Sequence, residues 1–200
     1  MLSFDPETHI YKWDGVIVPS VTQILKEVGI SDYSGIPAAQ RDAYMRFGTA
    51  VHLACELWDR RELDLPRLDP MLAPYLNSWI KFRTESGFEI YESEKPQYSL
   101  KHRFAGTPDR IGTLNGRRVV VDIKSSVDTK QGADLQTAGY AILFNEGKPR
   151  GAHALDRYSV HLKDNGKYKI EPHKDRNDIN AFLSCLSMYN IKKMRGKLCK

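Results

Sequence analysis

The stretch Val119-Val120-Val121-Asp122-Ile123-Lys124 decides how this chain of 200 residues folds. Three consecutive β-branched residues leave both faces of the segment apolar, which indicates a central β-strand that is covered on both sides. Side chains alternate along a strand, so Asp122 and Lys124 are expected to project to the same face. A carboxylate and an ammonium group at the end of such a strand are costly to desolvate and need polar partners. A divalent cation and a phosphate would supply them.

A second carboxylate precedes this strand, in Gly106-Thr107-Pro108-Asp109. The intervening Asn115-Gly116 is a favoured two-residue hairpin turn, and Asp109 and Asp122 are about equally distant from it. Pairing across the hairpin is therefore expected to bring them close together. Two neighbouring carboxylates repel each other unless a cation lies between them, and Mg²⁺ prefers carboxylates, water and phosphate oxygens. The pattern predicts a divalent metal site, with Lys124 orienting water or neutralising charge.

The rest of the chain alternates between helical and strand patterns. Ile10–Trp13 and Val16–Val18 flank the turn Asp14-Gly15 and predict a hairpin, after which Ser20-Val21-Thr22-Gln23 resembles a capping box that starts a helix. Further helices are expected over 37–61 (bent or divided at Gly48), 69–86, 131–145 and 176–194. Strands are expected over 88–98, 104–114, 118–124, 154–162 and 167–172. This order predicts a mixed α/β (α+β) sheet that carries helices.

Length and composition are typical of one globular domain over 1–200. We expect a hairpin and helical part over 1–87, a catalytic α/β core over 88–175, and a C-terminal helix with a basic tail over 176–200. Hydrophobic content of 41% and charged content of 28% argue against collagen-like, coiled-coil and disordered classes. Because no apolar run reaches the length of a membrane span and the N-terminus lacks a signal-peptide pattern, we expect a cytoplasmic protein without a membrane partner.

Cysteine spacing and net charge indicate which kinds of metal site and binding partner to expect. Cys55, Cys185 and Cys199 form no Cys-x-x-Cys pair and are fewer than the four that usually hold an iron–sulfur cluster. They are expected to be reduced thiols without a special role. The net charge of +5 suits a polyanionic partner, although many basic proteins do not bind nucleic acid.

Pro108-Asp109, followed after a hairpin by Asp122-Ile123-Lys124, resembles the PD-(D/E)XK nuclease superfamily. The alternative for so short a pattern is a surface salt bridge at the end of a strand. The resemblance implies a restriction-endonuclease-like core with an N-terminal helical elaboration, DNA as the substrate and Mg²⁺ or Mn²⁺ as the cofactor. It also implies that Asp109, Asp122 and the backbone carbonyl of Ile123 bind the metal.

Gly48-Thr49-Ala50-Val51-His52 with Glu56 resembles the helix that precedes the core in RecB-like members of this superfamily. The histidine at the matching position can bind metal in the family, which makes His52 a candidate ligand. Glu56 lies one helical turn later on the same face and is a weaker candidate. The alternative is a partly buried histidine with a structural role.

Two further matches concern the core. Members of the family carry an acidic residue in the strand before the hairpin, where Glu94 is the preferred candidate and Glu92 the alternative. Gln136 and Tyr140 match the Gln-x-x-x-Tyr element of RecB-like nucleases and lie one helical turn apart. The Gln136 amide is able to bond phosphate or backbone groups near the site, and the Tyr140 ring is able to stack or donate a hydrogen bond.

The segment Pro19–Leu25 resembles the N-terminal part of phage-type exonucleases and of the mitochondrial genome-maintenance exonuclease group. The matched landmarks run from Pro19 to Tyr140. They imply an exonuclease of DNA recombination or repair, encoded by a phage or bacterium, that acts on single- or double-stranded ends and has a recombination or replication partner. The cysteine count argues against the iron–sulfur members. The alternatives are an endonuclease of the same fold and a DNA-binding module that has lost catalysis.

Several polar side chains are candidates to hold the phosphate backbone. The basic ones are Arg41, Arg46, Lys101, Arg103, Arg110 and Lys130, and the hydroxyl donors are Ser125 and Ser126. Arg110 follows Asp109 directly, although strand alternation would aim its side chain away from the metal. Candidates for stacking on bases, which as aromatic residues more often belong to a core, are Trp13, Tyr33, Tyr44 and Phe47. The basic segment over 192–197 is expected to be a solvated tail that also touches DNA.

Overall fold

Ten strands and five α-helices form the part of the chain that the computed structural model describes, residues 1–31, 35–125 and 132–197. The helices are α1 (Val21–Glu27), α2 (Ala38–Asp59), α3 (Ala73–Ser86), α4 (Ala133–Asn145) and α5 (Asp178–Met194). The strands are β1 (Leu2–Asp5), β2 (Ile10–Trp13), β3 (Val16–Val18), β4 (Glu89–Ser93), β5 (Gln97–Tyr98), β6 (Ala105–Gly106), β7 (Arg110–Leu114), β8 (Arg117–Lys124), β9 (Asp156–Leu162) and β10 (Tyr168–Pro172). Within these ranges we find no helix with both the length and the apolar character of a membrane span.

The strand β8 is central in a five-stranded sheet with the order β10-β9-β8-β7-β4. It pairs antiparallel with β7 and parallel with β9, so the sheet is mixed. Parallel neighbours need a crossover connection, which α4 provides between β8 and β9. The mixed α/β fold that the sequence predicts is therefore confirmed.

Both faces of β8 are buried, as its run of valines predicts. Val119 and Val121 belong to a core cluster that α2 and α3 complete. Val120 faces the opposite cluster, which contains residues of α1, α4 and α5. Alternation along the strand places Asp122 and Lys124 on the same face as Val120. The polar pair therefore lies where the apolar strand ends, on the side of the sheet that α4 covers.

The N-terminal segment forms a small sheet with the order β1-β2-β3. Asp14 and Gly15 both have positive φ angles in the turn between β2 and β3, as a tight hairpin requires. The Ser20 hydroxyl then accepts from the backbone N–H of Gln23, and the Gln23 side chain accepts from the backbone N–H of Ser20. The predicted hairpin and capping box are both confirmed.

Two helices differ from the sequence-based expectation. The helix expected to begin near residue 69 begins at Ala73, because Pro74 has no backbone N–H and fits only the first turn of a helix. The helix α2 continues through Gly48 without a break. One glycine costs a helix only about 1 kcal/mol relative to alanine, and the buried residues Val51 and Cys55 anchor α2 against the core.

The expected strand over 88–98 is split at Glu94, whose backbone adopts a left-handed conformation with a φ of 45°. Consequently β4 ends at Ser93, while β5 pairs with β6 in a separate two-stranded sheet. Pro108, which cannot donate to a ladder, lies between β6 and β7 and divides the next expected strand in the same way. The backbone N–H of Glu94 still bonds the carbonyl of Asp109 over 3.1 Å, so the two interruptions lie side by side.

Candidate metal and active centre

Asp109 and Asp122 occupy neighbouring positions at one end of the β7–β8 hairpin. In that ladder Arg110 lies opposite Val121, so the next positions outward are those of Asp109 and Asp122. The Oδ2 atom of Asp109 accepts a 2.6 Å hydrogen bond from the backbone N–H of Ile123, which fixes its side chain against β8. The hairpin thus brings the two carboxylates together, as their equal distance from the turn predicts.

Three potential ligand groups converge beside this pair. His52 on α2, Glu94 after β4 and Asp109 before β7 each place one ligand atom within 4.8 Å of the others. The Nδ1 atom of His52 lies 3.6 Å from Asp109 Oδ1 and 3.9 Å from Glu94 Oε1. One imidazole nitrogen and two carboxylates form a donor set that suits a divalent cation such as Mg²⁺ or Mn²⁺. The residues present therefore fit the kind of metal that the sequence predicts.

A backbone carbonyl determines the tautomer of His52. Its Nε2 atom lies 2.9 Å from the carbonyl oxygen of Ile123, which can only accept, so Nε2 carries the hydrogen. In the neutral imidazole Nδ1 then carries a lone pair, and Nδ1 is the atom that faces Asp109 and Glu94. Metal-binding histidines commonly donate their other ring hydrogen to a carbonyl in this way. The Ile123 carbonyl, a predicted ligand, is thus engaged by His52 and keeps its second lone pair.

The carboxyl group of Glu94 is held in an unfavourable environment for a negative charge. Burial, and after it the neighbouring carboxylate of Asp109, raises the pKa of Glu94 to about 8, although Arg110 acts in the opposite direction. The Arg110 guanidinium donates to Glu94 Oε1 over 3.1 Å. A cation next to Glu94 and Asp109 would relieve their mutual repulsion. The electrostatics and the geometry therefore favour the same position for a metal.

Two other acids that the sequence raised as candidates have different partners. Glu92, the alternative to Glu94, accepts hydrogen bonds of 2.8 Å from Lys95 and of 2.8 Å from Gln97. Glu56 forms an ion pair of 2.5 Å with Arg60, one turn further along α2. Neither belongs to the three-residue cluster. The cluster therefore contains Glu94 and neither Glu92 nor Glu56, and the role of Glu94 as a metal ligand stays a prediction.

Lys124 is fixed by side chains from β8 and α4. Its Nζ atom lies 2.9 Å from Asp122 Oδ2 and donates over 3.0 Å to Gln136 Oε1. The Gln136 amide in turn donates over 3.0 Å to the hydroxyl of Tyr140. Burial raises the pKa of Tyr140 well above its ordinary value, so this phenol stays neutral. The Gln-x-x-x-Tyr element therefore contacts the predicted catalytic lysine directly.

Asp122 is the most deeply buried acid of the centre, with 1% of its surface exposed. Burial raises its pKa, while the neighbouring Lys124 lowers it. Both of its carboxylate oxygens lie within 3.2 Å of Lys124 Nζ, and Asp122 is not part of the cluster of three ligands. Its contribution as a metal ligand remains a prediction, whereas its ion pair with Lys124 is part of the structure.

Arg110 lies inside the fold, and the expectation that it contacts the DNA backbone is wrong. Its side chain is 0% exposed and pairs with Asp59 over 2.9 Å and with Glu94 over 3.1 Å. Strand alternation aims it into the core, where these two carboxylates neutralise its charge. The guanidinium also lies 5.6 Å from the centre of the Trp79 ring. Arg110 therefore supports the centre from within.

Asp59 is a buried acid that sequence reasoning missed. Besides Arg110 it accepts from Trp79 Nε1 over 3.0 Å and from Arg83 Nη1 over 2.5 Å. A signal was available, because Asp59 lies one helical turn after the buried residue Cys55 and so shares the inward face of α2. An acid on such a face requires cationic or hydrogen-bonding partners within the core.

The remaining candidates for phosphate contacts differ in exposure. Arg46, Lys101 and Arg103 are exposed, whereas Arg41 is partly buried and lies 3.7 Å from a carboxylate oxygen of Asp42. Ser125 is partly buried directly after β8, where its hydroxyl lies 3.5 Å from the position that a β-carbon on Gly48 would take. Ser126 and Lys130 lie outside the described residues.

Two of the aromatic candidates for base stacking pack within the protein instead. Trp13 stacks on Tyr98 with ring centres 4.5 Å apart, and Phe47 contacts Tyr75 edge to face at 5.1 Å. Tyr44 on α2 is 56% exposed and stays available to a ligand. Tyr33 lies outside the described residues. In the basic segment over 192–197, Lys192 bonds the backbone carbonyl of Glu27, so this end of α5 is attached to the protein.

Two polar contacts at or beside the centre have no signal in the sequence. The hydroxyl of Ser159 on β9 donates to Asp122 Oδ2 over 3.3 Å. The hydroxyl of Tyr11 on β2 lies 2.8 Å from the hydroxyl of Thr107, two residues before Asp109. Both contacts depend on the pairing or docking of segments that are distant in the chain, so local patterns do not reveal them.

A family model and two solved structures are similar to this chain. The family model of the PD-(D/E)XK nuclease superfamily matches residues 65–197, which is more than half of the chain and includes the segment from Asp109 to Tyr140. A candidate exonuclease from Eubacterium rectale is similar in fold, with 12% identity, a TM-score of 0.55 and coverage of 91% of this chain and 83% of that one. An alkaline exonuclease from Laribacter hongkongensis has 14% identity, a TM-score of 0.34 and coverage of 90% and 94%. No curated protein sequence matches. On the match of the family model, the chain belongs to the PD-(D/E)XK nuclease superfamily.

Proposed function

We propose that this nuclease is a metal-dependent DNA exonuclease, which hydrolyses phosphodiester bonds with a water molecule activated at the centre described above. The observation that carries the proposal is the convergence of His52, Glu94 and Asp109 within 4.8 Å of one another, beside the Asp122–Lys124 ion pair. This combination of an imidazole, three carboxylates and an ammonium group is suited to phosphodiester hydrolysis.

Five groups of the chain are candidates to hold the metal. The Nδ1 atom of His52 and the carboxylates of Glu94 and Asp109 are the first candidates, followed by Asp122 and the carbonyl of Ile123. A bound Mg²⁺ or Mn²⁺ supplies a water molecule of lowered pKa and a positive charge opposite the phosphate. The donor set suits both ions.

Lys124 is the residue proposed to act on the reacting groups from the protein side. Its ammonium group would donate to the attacking water or to a phosphate oxygen and neutralise the charge that develops there. Asp122 and Gln136 restrain the ammonium group at 2.9 Å and 3.0 Å, and Tyr140 restrains Gln136. Restraint of this kind stabilises the transition state because little reorganisation is needed when the charge develops.

We also propose that the substrate is DNA and that the enzyme attacks it from an end. The net charge of +5 and the exposed side chains of Arg46, Lys101 and Arg103 suit a polyanion. The Gln136-x-x-x-Tyr140 element resembles that of RecB-like nucleases, and the Eubacterium rectale protein of similar fold is named as a candidate exonuclease. These observations support an exonuclease over an endonuclease of the same fold.

The test uses end-labelled linear DNA, closed circular single-stranded DNA and linear RNA of the same sequence. Each is incubated with the purified protein in Mg²⁺, in Mn²⁺ and in EDTA. We expect degradation of linear DNA only when metal is present, with the circles intact. Lys124→Ala and Asp122→Asn are expected to abolish degradation, while a circular dichroism spectrum like that of the parent shows that each variant is folded.

Matched controls lie at the opposite end of β8 and on the neighbouring strand β9. Arg117 at the start of β8 and Asp156 at the start of β9 form an ion pair of 3.0 Å. Seven residue steps of about 3.3 Å separate Arg117 from Lys124, so their Cα atoms are roughly 23 Å apart. Arg117→Ala and Asp156→Ala break an ion pair of the same chemical kind outside the centre. Both variants are expected to retain full nuclease activity.

Each of the other results identifies an alternative. Cleavage of the closed circles would support an endonuclease and contradict attack from an end. Binding of DNA without cleavage in either metal would support a binding module that has lost catalysis. Equal degradation of the RNA would contradict DNA as the specific substrate.

A further inference from the structure

The buried residue Ser159 connects the centre to the hairpin formed by β9 and β10. The parallel register of β8 and β9 places Ser159 directly opposite Asp122. The Ser159 side chain is fully buried, and its hydroxyl donates to Asp122 Oδ2 over 3.3 Å. On its other side the same hydroxyl lies 2.9 Å from the Nε2 atom of His173. A chain of three side chains therefore runs from Asp122 to His173.

The direction of these hydrogen bonds follows from the single proton of a serine hydroxyl. Both oxygens of Asp122 lie within 3.2 Å of Lys124 Nζ and act as acceptors, so the Ser159 proton points toward Asp122. Ser159 must then accept from its second partner, which requires that Nε2 of His173 carries a hydrogen. The chain runs in one direction, from His173 through Ser159 to Asp122.

The surroundings of His173 support this arrangement. Burial lowers the pKa of His173, and Arg157 lowers it further, so the neutral imidazole is favoured. The backbone N–H of His173 donates to the carbonyl of Arg157 over 2.9 Å, which fixes the backbone from which the imidazole projects. The guanidinium of Arg157 is itself held by Asp178 over 2.7 Å. A neutral imidazole has one N–H, and the contact with Ser159 assigns it to Nε2.

We propose that Ser159 and His173 are positioning residues, which hold the Asp122 carboxylate in the orientation in which it binds a divalent cation. The inference rests on the proposed function for the identity of the metal-binding group. Among the described residues, Oδ2 of Asp122 accepts from both Lys124 and Ser159, whereas Oδ1 accepts from Lys124 at 3.2 Å. When the Ser159 hydroxyl is removed, the contact with Lys124 determines the orientation of the Asp122 carboxylate.

The size of the effect follows from the behaviour of groups that support metal ligands. Loss of such a supporting hydrogen bond typically weakens metal binding or activity by about 10- to 100-fold. Ser159→Ala and His173→Leu are therefore both expected to weaken Mn²⁺ binding by about tenfold. His173→Gln is expected to bind Mn²⁺ nearly as well as the parent, since its side-chain amide has an N–H donor close to the position of Nε2.

The measurement is calorimetric titration of the whole chain with Mn²⁺ alone, which requires no DNA. Ser78→Ala is the matched control, because Ser78 is also fully buried but bonds backbone carbonyls on the opposite side of the sheet. It is expected to leave Mn²⁺ binding unchanged. Mn²⁺ binding that is retained in His173→Gln but weakened in His173→Leu is a result that a merely structural role would not produce. Because this comparison uses His173 alone, it stays decisive if Ser159→Ala fails to fold.

The outcomes separate this inference from the proposed function. If Ser159→Ala and His173→Leu bind Mn²⁺ as tightly as Ser78→Ala does, the inference is overturned, even when the parent degrades DNA. If the parent binds Mn²⁺ but cleaves no nucleic acid, the nuclease proposal fails, while the titrations of the variants still decide the role of Ser159. Absence of Mn²⁺ binding by the parent would overturn both.

Discussion

His52 and Ile123 are joined across the fold by a hydrogen bond of 2.9 Å from the imidazole Nε2 to the backbone carbonyl. The bond turns the other ring nitrogen toward Asp109 and Glu94, at 3.6 Å and 3.9 Å. We predict that His52→Ala weakens Mn²⁺ binding by more than about tenfold, because removal of a ligand exceeds the loss of a supporting contact. Titration with Mn²⁺ in the absence of DNA measures this change.

A second histidine provides the control for His52. His153 also places Nε2 at 2.9 Å from a backbone carbonyl, that of Lys148. It is not among the described residues that form the ligand cluster. His153→Ala therefore removes the same kind of hydrogen bond without removing a ligand. Equal Mn²⁺ affinity in the two variants would exclude His52 as a metal ligand.

The raised pKa of Glu94 makes stability depend on pH when no metal is bound. With a folded-state pKa of about 8 against an ordinary value of 4.5, the folded protein retains a proton that the unfolded chain has lost. Stability from this group is therefore fully present below about pH 4.5 and decreases as the pH rises to about 8. Glu94→Gln stays neutral in both states. In EDTA, the melting temperature of Glu94→Gln is predicted to rise relative to that of the parent as the pH increases from about 5 to about 8.

The exposed residue Glu89, on β4, is the matched control for this measurement. Glu89→Gln changes the same functional group five residues earlier in the chain, at an exposed position, so its difference from the parent is expected to be constant over the pH range. A constant difference for Glu94→Gln as well would contradict the raised pKa. Mn²⁺ affinity of the parent should show the opposite trend and increase with pH, since binding at Glu94 displaces a proton.

Arg110 is predicted to contribute to stability and not to DNA binding. Its replacement by methionine leaves the carboxylates of Asp59 and Glu94 without their shared cation. Removal of one partner from a buried ion pair costs about 3–5 kcal/mol. Arg110→Met is therefore expected to lower the free energy of unfolding, measured with urea, by about 3 kcal/mol or more.

The control for Arg110 is Arg117, whose side chain is 66% exposed. Arg117→Met is expected to change the free energy of unfolding by no more than about 0.5 kcal/mol. The salt dependence of DNA binding discriminates between the two roles of Arg110. A variant with parental stability and a shallower salt dependence would restore Arg110 as a phosphate contact.

Local pattern was sufficient to predict the centre of this fold. Alternation and the valine run predict the central position of β8 and the shared face of Asp122 and Lys124, because these properties depend on neighbours in the chain. The juxtaposition of Asp109 and Asp122 is also local, since one tight turn determines the register. The same reasoning, applied to Arg110, directs its side chain into the core, although it does not identify its partners Asp59 and Glu94.

The parts that the sequence did not predict depend on contacts between distant segments. The left-handed backbone at Glu94 interrupts a segment whose composition favours a continuous strand, and the interruption lies beside Asp109. The contact of Ser159 with Asp122 requires the parallel register of β8 and β9, which loop length and composition do not specify. The contacts of such polar residues can be assigned only when the tertiary packing is known.

Tyr140 is predicted to act on Lys124 through Gln136, and a double-mutant cycle measures this coupling. The hydroxyl of Tyr140 accepts the Gln136 amide hydrogen over 3.0 Å, and Gln136 Oε1 accepts from Lys124 over 3.0 Å. Tyr140→Phe removes the first contact and leaves the Gln136 amide able to rotate. We expect kcat for DNA degradation to fall by about tenfold, with KM unchanged, because the loss of one hydrogen bond worth about 1–1.5 kcal/mol affects only the orientation of Lys124.

The non-additivity of the two substitutions decides whether they act in one chain of contacts. Gln136→Ala is expected to reduce kcat at least as much as Tyr140→Phe does, and the double variant is expected to be no slower than Gln136→Ala alone, since Tyr140 has no further effect once Gln136 is absent. Tyr189→Phe, which alters a buried tyrosine on α5, serves as the control for loss of a phenolic hydroxyl. Multiplicative effects in the double variant would mean that Tyr140 acts on the reaction independently of Gln136.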